Sequence, residues 1–191
     1  MIKLQLGSGR NILTDWVNTD FDTKKHNGCT HLDVTDKFPY DDESVDYIFS
    51  EHMIEHISYE AGKFMIKECH RVLKPGGKIR ISTPDLKFLI ELYNKDKTKL
   101  QQNYIDYSFK NYGCGGNTDT FVINNFVRDW GHLFIYDEKT LTDLFESMGF
   151  HSVKSYKLME SNDENLQGLE NISRQPDGFL QLESFTLEAT K

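Results

Sequence analysis

Leu4-Gln5-Leu6-Gly7-Ser8-Gly9, followed by Trp16-Val17-Asn18-Thr19-Asp20, is the stretch whose reading decides the fold. The apolar Leu4-Gln5-Leu6 breaks off at Gly7-Ser8-Gly9, the pattern of a strand running into a tight turn. Trp16 stands only seven residues after Gly9 and opens a second strand-like segment. That gap is too short for a full crossover helix, so any helix there has one or two turns.

Working outward, His31-Leu32-Asp33-Val34 reads as a third strand and Val45 to Ser50 as a fourth, rich in β-branched and aromatic residues. Residues 59–73 place Ala61, Met65, Cys69 and Val72 at helical spacing, with Ile66 and Leu73 beside them. Pro75-Gly76-Gly77 stops that helix, and Lys78 to Ser82 is a fifth strand. Leu141, Leu144, Phe145 and Met148 mark a later helix, with Asp137 placed to cap its start and Gly149 its end. Two more strands fall near 151–158 and 182–189. Strands alternating with helices predict an α/β protein, doubly wound around a mostly parallel sheet covered on both faces. Residues 86–131 break the alternation with an apolar run, a lysine-rich segment, a glycine turn and the aromatics Phe121, Phe126 and Trp130. Inserted after the fifth strand, they are expected to form a substrate lid over the carboxyl edge, where open α/β sheets bind ligands.

The 191 residues, 38% hydrophobic and 27% charged, suit one soluble domain spanning 1–191. A net charge of −8 without a Lys/Arg stripe opposes nucleic-acid binding. No stretch approaches a membrane span, Met1 to Leu4 enters a strand pattern at once, and three cysteines make no disulfide framework. The expectation is a cytoplasmic protein, monomeric or homodimeric, that acts on a small molecule.

Four features fall in the order that a nucleoside cofactor requires. Gly7-Ser8-Gly9 lets backbone approach a ligand without Cβ obstruction, although such turns are common in other settings. Asp20, thirteen residues after Gly7, ends the second strand where a carboxylate can accept both ribose hydroxyls; its alternative is a turn aspartate, with Asp22 placed to share or take the role. Asp33 ends the third strand and suits an adenine amino group, with the Val34 N–H directed at the ring; its alternative is a helix cap or a solvated carboxylate. Ser50-Glu51-His52 follows the fourth strand at the topological switch point. Dinucleotide binding is disfavoured, because no third glycine follows and Asp20 comes too early.

With Glu68-Cys69-His70-Arg71-Val72-Leu73-Lys74-Pro75-Gly76-Gly77 ahead of the fifth strand, these segments resemble the class I, Rossmann-like S-adenosylmethionine (SAM)-dependent methyltransferases. The likeness is close over residues 3–85 and loose over 130–190, and it resembles a compact bacterial-type subgroup whose substrates are mostly unassigned. It implies a seven-stranded sheet of order 3-2-1-4-5-7-6 with the last strand antiparallel. It also implies SAM contacts at Leu6, Gly7, Ser8, Gly9, Asn11, Asp20, Phe21, Asp33, Val34, Ser50, Glu51 and His52. With the first helix truncated, Arg10 or Asn11 is left to hold the methionine end.

Methyl transfer to a hydroxyl benefits from a general base, whereas an amine need only be neutral. His132, His56 and Asp85 are the catalytic candidates; each has a structural alternative, packing for the histidines and a helix cap for Asp85. His52 and His56 stand four apart, as on one helix face, but without a third ligand in view no metal is expected. O-methylation of a sugar, glycan or related hydroxyl is favoured. Asp85, Asp119 and Asp129 would suit the alternative, N-methylation of an amine or protein side chain, and a non-catalytic SAM-binding module is the third reading.

Overall fold

A computed structural model describes residues 1–25 and 28–191. Seven strands form one sheet: β1 (Lys3–Leu6), β2 (Val17–Asp20), β3 (Thr30–His31), β4 (Val45–Glu51), β5 (Leu73–Pro84), β6 (His151–Tyr156) and β7 (Ser184–Thr190). Their order is β3-β2-β1-β4-β5-β7-β6, and β7 alone runs against the others. This is the expected fold class and strand order.

Helix α1 (Tyr59–Val72) begins at Ser58, whose side chain accepts from the Ala61 N–H, and buries Met65, Ile66, Cys69 and Val72. Helices α2 (Leu86–Leu92), α3 (Lys99–Asn111) and α4 (Asp119–Arg128) follow β5. Helix α5 (Glu138–Ser147) is capped by Asp137, which accepts from the Thr140 N–H, and α6 (Phe179–Glu183) is a short turn before β7. The α1 and α5 stripes share one core with Leu4, Leu6, Ile48, Ile79 and Ile81 of the sheet. Each such fully buried aliphatic side chain stabilises the fold by ~1.5–3 kcal/mol. Phe88, Leu92, Tyr104, Ile105, Phe126 and Phe179 form a separate core for α2, α3, α4 and α6, so residues 86–131 make a three-helix unit beside the carboxyl edge.

Four local expectations are corrected. No helix is assigned between β1 and β2; ten residues hold only turns, and Asn18 braces them by bonding Leu13 through both its side-chain oxygen and its amide. The third strand stops at His31, because Asp33 folds back on Thr35 in a turn. Chain rather than helix therefore covers part of the opposite sheet face, where Phe49 packs on Leu166 and Leu169. Strand β5 takes in Pro75-Gly76-Gly77, with a register jump from Val45–Leu73 to Tyr47–Lys78. His52 and His56 do not share a helix: His52 sits at φ 47 and only Ile54–His56 forms a single 3-10 turn. Among the described residues, no helix is long and apolar enough to cross a membrane.

Candidate functional site

Strands β1, β2, β3, β4 and β5 are parallel and end at one edge. The chain leaves β1 toward β2 and later returns to β4 on the other side of β1, which opens a crevice between Gly7 and His52. A cavity of ≈ 730 Å³ lies there, in the range of cofactor sites. Gly7, Gly9, Asp20, Phe21, Asp33 and Val34 line one side of it; His52, His56 and Trp130 close the other.

The glycine loop is shaped for close approach. Gly7 has φ 65 and Gly9 φ 53, both in the left-handed region. A Cβ on Gly7 would stand 2.3 Å from Met53 Cγ, so the loop packs directly on the segment after β4. A Cβ on Gly9 would meet nothing within 4 Å and would project into open space instead. Asp20 holds the loop from the side: its Oδ2 accepts from the Gly9 N–H at 2.9 Å and its Oδ1 from the Asp22 N–H at 2.9 Å. These features fit a nucleoside cofactor, with a Cβ-free backbone cradle, a carboxylate at the end of β2 and room for the ligand. Gly7→Ala is expected to lower stability by about 2 kcal/mol, from left-handed strain and the Met53 overlap together. Gly9→Ala should lose less stability and more cofactor affinity; thermal melts with and without SAM separate the two, and equal melts for both variants would count against the cradle.

The remaining cofactor candidates occupy different positions. Leu6 and Ser50 are fully buried beneath the loop, where the Ser50 hydroxyl donates to the Leu6 carbonyl at 3.2 Å. Ser8 is buried, and its hydroxyl has no hydrogen-bond partner among the described residues. Asn11 gives its amide to Glu51 and to the Leu169 carbonyl, and Glu51 also accepts from the Asn171 N–H. Both side chains therefore tie the first loop to residues 169–171. Burial pushes the Glu51 carboxyl up, opposed by the Arg174 charge 3.7 Å away.

A second cavity of ≈ 310 Å³ adjoins the first and shares His52, His56 and Trp130 with it. Tyr112 and Phe126 reach it from the three-helix unit, and Arg174 and Glu183 from the approach to β7. Trp130 and Gly131, both at positive φ, turn the chain at the end of α4. The Leu133 N–H then donates to the Glu55 carbonyl at 2.7 Å, which brings His132 against His56 with ring centroids 4.9 Å apart. His132 Nδ1 lies 2.6 Å from the Phe126 carbonyl. A carbonyl only accepts, so Nδ1 carries the proton and Nε2 keeps its lone pair. His52 is held by Ser184 Oγ at 2.7 Å from its Nε2. Burial lowers all three histidines below their ordinary range, with the Arg174 charge adding to it at His52, and the nearby His132 imidazole opposing a second proton at His52 and His56.

Glu55 is the least expected member. It is fully buried, its Oε2 accepts from the Thr83 hydroxyl at 3.0 Å, and burial pushes it up to about 8. Glu183, also buried and raised by burial, accepts from the Tyr104 hydroxyl and from Gln175. The third catalytic candidate lies apart: Asp85 caps α2 by accepting from the Lys87 N–H and lines neither cavity. Glu55 has a signal in Glu51-His52-Met53-Ile54-Glu55-His56, but Arg174 and Glu183 have no local pattern that points to a site.

A family model described as a methyltransferase domain matches residues 4–81. Among solved structures, a SAM-dependent methyltransferase from Archaeoglobus fulgidus is similar with a TM-score of 0.59 and 18% identity, over 99% of this chain and 85% of that one. One from Mesorhizobium loti aligns with a TM-score of 0.59 and 12% identity, over 100% and 90%. Phosphoethanolamine N-methyltransferase 2 of Haemonchus contortus, in complex with SAM, aligns with a TM-score of 0.52 and 14% identity, over 100% of this chain and 48% of that one. Among curated proteins, no sequence matches. The strand order, with β7 antiparallel, is the Rossmann-like methyltransferase fold. That fold, and the match over residues 4–81, are what the chain shares with the SAM-dependent methyltransferases.

Proposed function

We propose that the protein methylates a hydroxyl of a small molecule, such as a sugar or glycan unit. The observation that carries this reading is the convergence of His52, His56 and His132 on the smaller cavity, beside the cofactor crevice. SAM supplies the methyl as a sulfonium with its leaving group already activated. The protein is left to align the partners, which can account for ~7–11 kcal/mol, and to prepare the acceptor oxygen.

In this assignment the Gly7 to Gly9 loop cradles the amino-acid end, Asp20 takes the ribose hydroxyls, and Asp33 with the Val34 N–H takes the adenine. Phe21 and Leu32 wall the crevice. His132 presents Nε2 to the acceptor because Phe126 occupies Nδ1, and a nitrogen so placed contributes ~10²–10⁴-fold as a general base. Tyr112, Phe126 and Trp130 select the acceptor, which gives the three-helix unit its part in the reaction.

Two features favour oxygen over nitrogen. Arg174 lines the acceptor cavity and opposes an ammonium. Asp85 and Asp119 are engaged elsewhere, at the start of α2 and in a 2.7 Å pair with Lys97, and the cavity's own Glu55 and Glu183 are buried on Thr83, Tyr104 and Gln175. Calorimetry with SAM, followed by release of S-adenosylhomocysteine against polyols, sugars, amines and peptides, tests the reading. One-site SAM binding and a methyl recovered on oxygen are expected. A methyl recovered only on nitrogen would overturn the hydroxyl assignment, and absence of SAM binding the whole of it.

A further inference from the structure

The acceptor cavity holds a group of side chains that a single general base does not account for. Glu55, His56 and His132 each offer one ligand atom, and the three atoms lie within 4.8 Å of one another. Glu55 Oε1 is buried without a hydrogen-bond partner among the described residues, and it faces His52 Nδ1 at 3.5 Å and His56 Nε2 at 3.9 Å. A buried carboxylate oxygen left open is costly and calls for a reason, of which an ion is one.

The outer contacts of these side chains are those of metal ligands. Metal-binding histidines hand their second ring nitrogen to a backbone carbonyl or carboxylate, and binding carboxylates are themselves hydrogen-bonded. His132 Nδ1 is on the Phe126 carbonyl, His56 Nδ1 lies against Gly131, and Glu55 Oε2 is held by Thr83. Ligand atoms about 2.0–2.2 Å from one ion stand up to ~4.4 Å apart, so 3.9 Å is already within reach.

We propose that Glu55, His56 and His132 bind a divalent first-row transition-metal ion in the acceptor cavity. Two imidazoles and one carboxylate suit Zn²⁺, Mn²⁺, Fe²⁺ or Co²⁺ better than Mg²⁺, which keeps oxygen ligands and water. Three protein ligands leave positions open toward the cavity. Resting on the hydroxyl-acceptor reading, the ion's role is to lower the pKa of the acceptor hydroxyl, as such ions do for water. The O–H proton passes to water, the O–CH₃ bond forms as the S–CH₃ bond of the sulfonium breaks, and the neutral thioether leaves. His132 is then a ligand in the loaded enzyme.

The test uses the full chain stripped with a chelator, titrated by calorimetry with Zn²⁺, Mn²⁺ and Mg²⁺, with SAM binding measured on the same sample. One Zn²⁺ or Mn²⁺ per chain is expected, with Mg²⁺ weaker, and Co²⁺ should give a visible absorption spectrum of a nitrogen- and oxygen-bound ion. Glu55→Gln and His132→Ala should each weaken binding by more than the ~10–100-fold expected of Thr83→Val, which removes only an outer contact. If His132→Ala fails to fold by circular dichroism, His132→Gln and the wild-type titration decide. No stoichiometric transition-metal binding in a protein that still binds SAM would overturn the metal site and leave the methyltransferase reading standing. Undiminished binding after Glu55→Gln would overturn it as well, by placing the ion elsewhere.

Discussion

Arg80→Met is expected to lower folding stability by about 3–5 kcal/mol, the scale on which removing one partner of a buried ion pair acts. Arg80 is fully buried in β5. Its guanidinium donates to Glu170 at 2.7 Å and Glu188 at 2.6 Å, and to the carbonyls of Glu160 and Lys157. Methionine fills much of the space but leaves two buried carboxylates without their counter-charge and two carbonyls without the Arg80 donor. The damage should spread to the site, because Arg80 pins the loop that follows β6. That loop places the Leu169 carbonyl on Asn11 and the Asn171 N–H on Glu51, and it runs on to Arg174 in the acceptor cavity. Urea denaturation measures the loss, and a change under about 1 kcal/mol would show that the cluster contributes little net stability. Replacing Arg80, Glu170 and Glu188 together by apolar residues should recover much of it, since the cost lies in the unpaired charges rather than in the missing bridge.

This cluster also marks where reading the sequence runs out. Leu4 to Gly9, the strand ends at Asp20 and Asp33, and the α1 stripe of Met65, Cys69 and Val72 are local patterns, set by period and turn chemistry over a few residues. They sufficed for a mostly parallel α/β sheet and for the residues that line one side of the crevice, whereas the strand order was implied by the family resemblance. Arg80 reads as one polar position in an apolar strand; only its distant partners, Glu170 and Glu188, explain its burial. His56 and His132 were legible singly, but their meeting depends on the backbone bond from Leu133 to Glu55. Treating His52 and His56 as helical neighbours hid the grouping of Glu55 with His56 and His132, because the chain after β4 turns through a left-handed His52 rather than entering a helix. Asp85 carried the opposite ambiguity: at a strand end before an apolar helix, capping and catalysis have the same local signature, and capping is what its side chain does.

Asp20→Ala is expected to weaken SAM binding by at least about 100-fold while leaving the fold intact. Two causes act together. On the assignment proposed, the ribose loses charged hydrogen bonds worth ~1.5–3 kcal/mol each. The protein also loses the bonds from Asp20 to the Gly9 and Asp22 N–H groups, which set the glycine loop and the turn after β2. Asp20→Asn separates these causes. It keeps one acceptor oxygen and the size of the side chain, so one of the two backbone bonds survives, but it removes the charge that favours the ribose hydroxyls. An intermediate loss is therefore expected, nearer the alanine variant if ribose binding dominates and nearer wild type if loop anchoring does. Asp22 is the internal control: it lies at the surface, paired with Lys25 at 3.0 Å, so Asp22→Ala should leave affinity within a few-fold of wild type. Calorimetric titration of the three variants with SAM decides the matter. Equal affinity for Asp20→Ala and wild type would remove Asp20 from the cofactor site, and a larger loss at Asp22 would move the ribose contact there.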